Sequence, residues 1–271
     1  NSTGTLFLSY SDGNGGYALF SGNEVGALLL EYICQQRIKK GTMPENPIAV
    51  KTIVTTDIVN LIGKEYGVEI INVLTGFKFI GEQIGLLEAK GEEKRYIWGF
   101  EESYGYLSGS YVRDKDAVDA SMLICEMAAY YRTQGITLLQ ARENMYKKYG
   151  FFYQTLYSFT FEGASGMKKM ADIMENLRNA HPTEIAGLKV IRFDDYKLST
   201  SKNVVTGEVT ELTLPKSNVL AFFLEGGSKV IVRPSGTEPK VKAYITSKQD
   251  TREEAEAIEQ KIYADFSKNM E

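Results

Sequence analysis

The chain has 271 residues, 43% of them hydrophobic, which is enough to bury the cores of two domains, and its net charge is −4 with both signs interspersed. That balance excludes the basic field that a nucleic-acid or membrane-surface binder needs, and no apolar run reaches bilayer-spanning length. Two cysteines and one histidine are too few for a Cys/His metal centre. Cys34 and Cys125 fall in separate helical patterns and are expected to be reduced, half-buried packing residues of a cytoplasmic protein. His181, just before Pro182, reads as a capping or surface residue. The tyrosines are scattered without a repeat, which suits packing rather than a base-stacking platform.

The chain opens polar and glycine-rich, as far as Asp12-Gly13-Asn14-Gly15-Gly16. That run lacks the later acids of a Ca²⁺ loop and the strand–turn–helix setting of a dinucleotide turn. It therefore reads as a hairpin turn between strands at 6–10 and 17–20. A repeating pattern begins at Gly22. Asn23 is expected to cap a helix whose apolar positions are Val25, Leu28, Leu29, Tyr32 and Ile33, closed by Lys39-Lys40-Gly41. A strand at 48–54, the turn Thr55-Thr56-Asp57 and a short helix with Ile58, Leu61, Ile62 and Tyr66 follow. A strand at 68–74 then leads through Thr75-Gly76-Phe77-Lys78 into a helix with Phe79, Ile80, Ile84 and Leu87. A further strand at 96–100 precedes Glu101-Glu102-Ser103-Tyr104-Gly105-Tyr106. A long helix is expected over about 115–134, with Val118, Met122, Cys125, Met127, Ala128 and Tyr131 on or near one face. Alternation of this kind predicts an open α/β sheet of mainly parallel strands with helices on both sides.

In such sheets, ligands lie beyond the carboxyl ends of the strands. Thr55–Asp57, Thr75–Lys78 and Glu101–Ser103 each follow a predicted strand, so all three should gather on one rim. Glu101 can accept hydrogen bonds from two neighbouring hydroxyls, and Ser103 can donate or accept. Lys78 adds a positive charge or, at lowered pKa, a proton donor. The same residues also suit a capping box before Tyr104 and a solvated lysine.

A helix at 138–148 ends at Tyr149-Gly150, a boundary signal, and the pattern then changes. Residues 151–161 are aromatic and alternating, and 163–178 are helical with a methionine-rich stripe (Met167, Met170, Met174) that reads as core. Strands are expected at 188–193, at 203–212 folded around Thr206-Gly207, at 219–224, at 229–232 and at 241–245. A charged helix over 251–268 closes the chain. This half predicts a smaller α+β domain with a largely antiparallel sheet. Its densest chemistry is Val232-Arg233-Pro234-Ser235-Gly236-Thr237-Glu238-Pro239-Lys240, a stiff loop between two strands. Arg233 offers a planar fork for two phosphate oxygens. Ser235, Thr237 and the amides around Gly236 offer the remaining donors, with the Lys240 ammonium beside them. A solvated Pro/Gly turn is the plainer alternative.

Four segments taken together carry a resemblance: Leu74-Thr75-Gly76-Phe77-Lys78, Gly99-Phe100-Glu101-Glu102-Ser103-Tyr104-Gly105, Arg113-Asp114-Lys115-Asp116-Ala117 and Arg233-Pro234-Ser235-Gly236-Thr237-Glu238-Pro239. In order and approximate spacing the chain resembles the third and fourth domains of the α-D-phosphohexomutases, in particular the bacterial phosphoglucomutase/phosphomannomutase group, from about Tyr17 to the C-terminus. The resemblance implies an α/β third domain over 21–150 and a TBP-like α+β fourth domain over 151–271. Residues 1–20 would be the tail of a preceding domain or sequence added to the chain.

It also implies an enzyme that interconverts glucose 1-phosphate and glucose 6-phosphate through a phosphoserine and a glucose 1,6-bisphosphate intermediate. A Mg²⁺ held by three aspartates of the second domain would assist. By the resemblance Glu101 and Ser103 meet sugar hydroxyls and Lys78 touches the substrate. Arg233, Ser235, Gly236 and Thr237 clamp the phosphate that is not reacting, and Thr75, Gly76, Arg113, Lys115 and Lys240 are further candidates. The phosphohexomutase reading thus expects the Arg233 loop and the Glu101 rim to face one another.

Neither the phosphoserine loop nor the Asp-x-Asp-x-Asp-Arg metal loop occurs in the sequence. The chain is therefore expected to hold no catalytic residue, to lack activity alone, and to depend on the missing N-terminal domains of the same polypeptide. A non-catalytic phosphosugar-binding module, or a phosphomannomutase or phosphopentomutase of the same family, remains open at this point.

Overall fold

The first described element is a two-stranded antiparallel hairpin, β1 (Ser9–Ser11) and β2 (Tyr17–Leu19), shorter than the strands expected at 6–10 and 17–20. The structure, a computed structural model, describes residues 4–11, 15–163 and 165–270, so the turn predicted at Asp12-Gly13-Asn14 lies outside the described residues. The chain divides into two units, Asn1–Tyr149 and Gly150–Glu271.

Helix α1 (Gly22–Lys39) is capped two residues earlier than the sequence suggested. Ser21, not Asn23, is its N-cap: the Ser21 hydroxyl accepts from Glu24 N–H at 3.2 Å, and the Glu24 carboxylate accepts from Ser21 N–H at 2.8 Å. A capping box leaves fewer orphan donors than a lone asparagine, and such a cap is worth about 1 kcal/mol. Asn23 works elsewhere, its Oδ1 accepting from Thr56 N–H at 3.0 Å. Then follow β3 (Ile48–Thr52), α2 (Ile58–Tyr66), β4 (Glu69–Val73), α3 (Phe77–Glu88), β5 (Tyr96–Glu101), β6 (Gly105–Leu107), α4 (Ala117–Thr133) and α5 (Leu138–Tyr149). The sheet order is β4-β3-β5-β6, with β3 parallel to both neighbours and β6 antiparallel to β5.

Pleat alternation sorts this sheet's side chains. Ile48 and Val50 pack with Ile80, Ile84 and Leu87 of α3. Opposite Ala49 and Lys51 in the register stand Trp98 and Phe100, and these turn to α1. The Trp98 indole donates to Gly26 C=O at 3.1 Å, and the Phe100 ring lies where any Cβ on Gly26 would intrude, at 2.0 Å. Trp98, Phe100 and Tyr106 are essentially inaccessible. Each such ring contributes roughly 1.5–3 kcal/mol of burial.

On α4 the buried positions are Ala120, Ile124, Met127 and Tyr131, capped by Asp116. Val118 and Met122 are 77% and 62% exposed, and Cys125 is exposed rather than half-buried. Two apolar sets with i, i+4, i+7 spacing run along this helix, and spacing alone does not choose between them. Cys34 is fully buried in α1, and that burial pushes its thiol up to about 12.

The second unit contains β7 (Phe151–Thr160), α6 (Gly166–Asn179), β8 (Glu184–Ile185), β9 (Leu188–Asp195), β10 (Thr200–Asn203), β11 (Val209–Glu211), β12 (Leu220–Leu224), β13 (Lys229–Pro234), β14 (Lys240–Gln249) and α7 (Arg252–Phe266). The strands form an antiparallel sheet in the order β11-β10-β9-β12-β13-β14-β7, with β8 paired to β9. This unit has fewer residues than the first but the larger sheet, with eight strands against four, and β7 and β14 pair along ten residues. Met170, Ile173, Met174 and Leu177 of α6 and Ile262 and Phe266 of α7 pack on Val230, Val232, Val241, Ala243 and Ile245. Met167 lies outside that stripe. His181 neither caps nor floats on the surface: its ring stacks on Phe193 with centroids 4.4 Å apart. Among the described residues no helix is long and apolar enough to cross a membrane.

Candidate functional site

In the first unit, β3, β4 and β5 run parallel, so their carboxyl ends lie on one rim. Glu101 is the last residue of β5 and pairs with Gly105 across the tight turn into β6. This strand is not legible in the sequence, because β6 has only three residues and follows the polar loop directly. A Cβ on Gly105 would lie 3.0 Å from the Lys115 side chain, 3.2 Å from Glu101 and 3.3 Å from Phe77. The glycine thus leaves room for an acid and an ammonium to approach over the start of α3.

Burial pushes the Glu101 carboxyl up to about 7, with the neighbouring Glu102 charge acting in the same direction; the Lys115 charge and the Ser103 hydroxyl pull it back. Glu101 is therefore poised between donor and acceptor near neutrality, which matches the mixed donors and acceptors of a polyol. Ser103 is exposed beside it. Tyr104, next in the turn, sits at φ 66, a left-handed conformation that a non-glycine residue adopts at a cost.

Thr75 and Gly76 precede α3, with Gly76 at φ 119 as its N-cap. Only glycine enters that region freely, so the turn after β4 is specified by this residue. Lys78 lies within the first turn of α3, exposed, with its ammonium 4.8 Å from the Phe79 ring centroid. Arg113 is engaged otherwise: its guanidinium pairs with Glu88 and Ser110 C=O, which ties the loop before α4 to the end of α3.

The sequence also left unread what lies behind the rim. Lys51 sits within the apolar run, yet its side chain is 2% exposed and its ammonium donates to Asp57 Oδ1 at 2.8 Å and Thr55 C=O at 3.2 Å. A lysine between Val50 and Thr52 shows up in sequence only as an interruption in hydrophobicity.

In the second unit the Arg233 loop is a hairpin connection. β13 ends at Pro234 and β14 begins at Lys240, with Arg233 paired to Lys242 across the strands. Two cations thus stand side by side at the hairpin end. The loop is closed by Ser235 N–H donating to Lys240 C=O at 2.8 Å. The Ser235 hydroxyl accepts from Thr237 N–H at 3.4 Å and Glu238 N–H at 3.3 Å. Those two amides are thereby used to shape the loop, while the hydroxyl hydrogen of Ser235 is left to donate. Gly236 lies outside the positive-φ glycines, and a Cβ built on it meets nothing within 4 Å. Neither strain nor packing requires glycine there. Thr237 is exposed next to it, and Lys240 pairs with Glu238 at 2.6 Å. Among the described residues no group of three or more His, Cys, Asp or Glu side chains is placed to hold a metal ion, so the residues present do not fit the Mg²⁺ that the resemblance implies.

The first unit is an α/β layer carrying an acid and a hydroxyl on its carboxyl rim, and the second is an antiparallel sheet with a cationic hairpin. Residues 21–149 match the model of phosphoglucomutase/phosphomannomutase, alpha/beta/alpha domain III, and residues 164–264 match that of the phosphoglucomutase/phosphomannomutase C-terminal domain. The chain belongs to the phosphoglucomutase/phosphomannomutase family. It is 38% identical over 235 residues to a phosphoglucomutase of Staphylococcus epidermidis, covering 87% of this chain and 42% of that protein. It thus spans less than half the length of the curated relatives it matches. Its fold is shared with the open form of pp63/parafusin, a phosphoglucomutase from Paramecium (17% identity, TM-score 0.64, 93% of this chain and 42% of that one). It is shared also with a phosphoglucomutase/phosphomannomutase family protein from Burkholderia thailandensis (10% identity, TM-score 0.54, 93% and 42%).

Proposed function

We propose that the chain supplies the sugar-hydroxyl and phosphate recognition of a phosphoglucomutase that interconverts glucose 1-phosphate and glucose 6-phosphate. The observation that carries this reading is the division of chemistry between the units. Glu101 and Ser103 offer hydroxyl-matching groups at the rim of one sheet, and Arg233, Ser235, Gly236 and Thr237 offer anion-matching groups on the hairpin of the other. Arg233 would grip two phosphate oxygens through its fork. The Ser235 and Thr237 hydroxyls would donate to a third, and Gly236 would let the backbone come close. Glu101, near its midpoint at neutral pH, would accept from one sugar hydroxyl or donate to another, with Ser103, Lys115 and Lys78 completing the polar surface. Thr75 and Gly76 shape the turn that presents Lys78. Lys240 contributes charge to the hairpin, tempered by Glu238.

The Mg²⁺ and the phosphoserine that carry the transfer chemistry in this reading belong to residues outside this chain. Its own residues bind and orient, and a phosphosugar is the partner they select. The test is titration of the chain with glucose 6-phosphate and with inorganic phosphate, by calorimetry or NMR. Arg233→Ala should weaken both by about 10- to 100-fold, the loss of a charge-assisted bidentate contact of about 1.5–3 kcal/mol. Glu101→Ala should weaken only the sugar phosphate. Equal effects of Glu101→Ala on both ligands would refute the division of labour.

A further inference from the structure

Between Glu101 and Ser103 stands a residue that the proposed sugar contacts do not use. The Glu102 carboxylate reaches back to β3, its Oε2 lying 3.3 Å from the Thr52 hydroxyl and 3.5 Å from that of Thr55. The two threonine hydroxyls are 2.8 Å apart, and both residues are 0% exposed. Two hydroxyl hydrogens must serve three contacts, so one threonine donates to the other and that one donates to the carboxylate. The order Thr55 to Thr52 to Glu102 uses the shorter contact. Buried hydroxyls are costly to leave unmatched, and a carboxylate is their strongest acceptor here.

The partners of Glu102 are themselves fixed. Lys51, buried in β3, holds Asp57 and the Thr55 carbonyl, which locks the turn that carries Thr55. Asn23 of α1 accepts from Thr56 N–H at 3.0 Å. On its other side the Glu102 backbone abuts α1: a Cβ on Gly22 would lie 2.2 Å from the Glu102 carbonyl oxygen. Two separate stretches of chain, residues 51–57 and the start of α1, thus converge on one residue of a loop in which Tyr104, two residues on, is held in a left-handed conformation.

We propose that Glu102 is a positioning residue whose carboxylate, latched to the buried hydroxyls of Thr52 and Thr55, sets the aim of Glu101 and Ser103 toward the sugar. The proposal rests on the reading above that Glu101 and Ser103 meet the polyol. It makes sugar selectivity a property of β3, which touches no ligand. Without the latch the 101–104 loop loses the tie that holds its middle residue to the sheet, and the two flanking side chains lose their fixed spacing.

The test uses the full chain with Thr52→Val, Glu102→Ala and Glu102→Gln, and two measurements. The first is hydrogen exchange at the amides of residues 101–105. The second is affinity for glucose 6-phosphate relative to inorganic phosphate. Thr52→Val, nearly isosteric, should speed exchange in the loop about tenfold while the β3–β4 amides stay protected. It should also move the affinity ratio toward one with phosphate binding unchanged. Glu102→Ala should do the same, whereas Glu102→Gln, which keeps an acceptor oxygen, should retain most of both properties. Unchanged loop exchange in Thr52→Val and Glu102→Ala overturns the latch, as does a Gln variant indistinguishable from Ala. If the unmutated chain shows no preference for the sugar phosphate, the reading of Glu101 and Ser103 fails, and loop exchange alone still decides whether Glu102 is latched.

Discussion

The Glu102 carboxylate lies 3.3 Å from the Thr52 hydroxyl, joining the turn after β5 to the end of β3 across 50 residues of sequence. On the other side of the same residue, the Glu102 carbonyl oxygen fills the space next to Gly22 that a side chain would occupy. The middle of the loop is thus held from behind on two sides, which a binding loop needs if its outward groups are to hold their spacing.

Gly22→Ala tests this packing with a sign that helix propensity alone would get wrong. Alanine is the better helix former by about 1 kcal/mol, so an exposed first-turn glycine would gain from the change. Here the added methyl would meet the Glu102 carbonyl at 2.2 Å and Tyr104 N at 2.9 Å, both backbone atoms that cannot step aside cheaply. The variant should lose about 1–3 kcal/mol in chemical denaturation, and a gain in stability would show that the loop does not press on α1.

Glu101 gives a pH-dependent prediction. Its carboxyl is raised from an ordinary 4.5 to about 7, burial being the main cause. A raised acid binds its proton more tightly in the folded chain than in the unfolded one. Stability therefore falls as pH rises from 4.5 toward 7 and levels off above that. Glu101→Gln lacks this loss. It should match the unmutated chain near pH 4 and exceed it by about 1–2 kcal/mol at pH 8, the full shift being discounted for partial exposure. Denaturant melts at the two pH values check it, and a constant difference between them would contradict the burial argument.

How far the sequence reached is clearest where periodicity and chemistry agreed. β3, β4 and β5 alternate with α2 and α3, and this alternation was visible, so the carboxyl rim carrying Glu101 could be anticipated. The hairpin at Arg233 was legible for the same reason, because two apolar strands flank a dense cluster of donors. Three features were not legible. Lys51 looked like an interruption because burial of an ammonium depends on Asp57, which only the folded turn brings to it. β6 exists through three backbone pairings that leave no side-chain pattern. On α4 two apolar stripes competed, and only packing against the rest of the unit selected Ala120, Ile124, Met127 and Tyr131 over Val118, Met122 and Cys125.

In the second unit, Arg178 and Asp195 form an ion pair at 2.8 Å with side chains 6% and 1% exposed. Asp195 also accepts from Lys197 N–H at 2.9 Å, Arg178 reaches Asn218 Oδ1 at 2.8 Å and the Glu175 carboxylate at 2.7 Å, and the Lys197 ammonium meets the same Glu175 oxygen at 2.8 Å. Asp195→Ala should cost about 3–5 kcal/mol, because the guanidinium stays buried without its buried carboxylate partner. The double change Arg178→Met with Asp195→Leu should recover much of that loss. Thermal melts of the three variants measure it, and a double variant no better than Asp195→Ala would mean that the wider network of Glu175, Lys197 and Asn218 carries the stability.

Gly236 allows folding and ligand binding to be separated on one residue. Its backbone does not need glycine, and a built side chain would project into open space. Gly236→Val should therefore leave the melting transition within about 0.5 kcal/mol of the unmutated chain, as surface changes away from packing do. If the hairpin receives phosphate, the same branched side chain stands between the ligand and the donors of Arg233, Ser235 and Thr237. Affinity for inorganic phosphate should then fall at least tenfold, on the order of 1.4 kcal/mol or more. A titration in which Gly236→Val binds phosphate as well as the unmutated chain would place the anion somewhere other than on this hairpin.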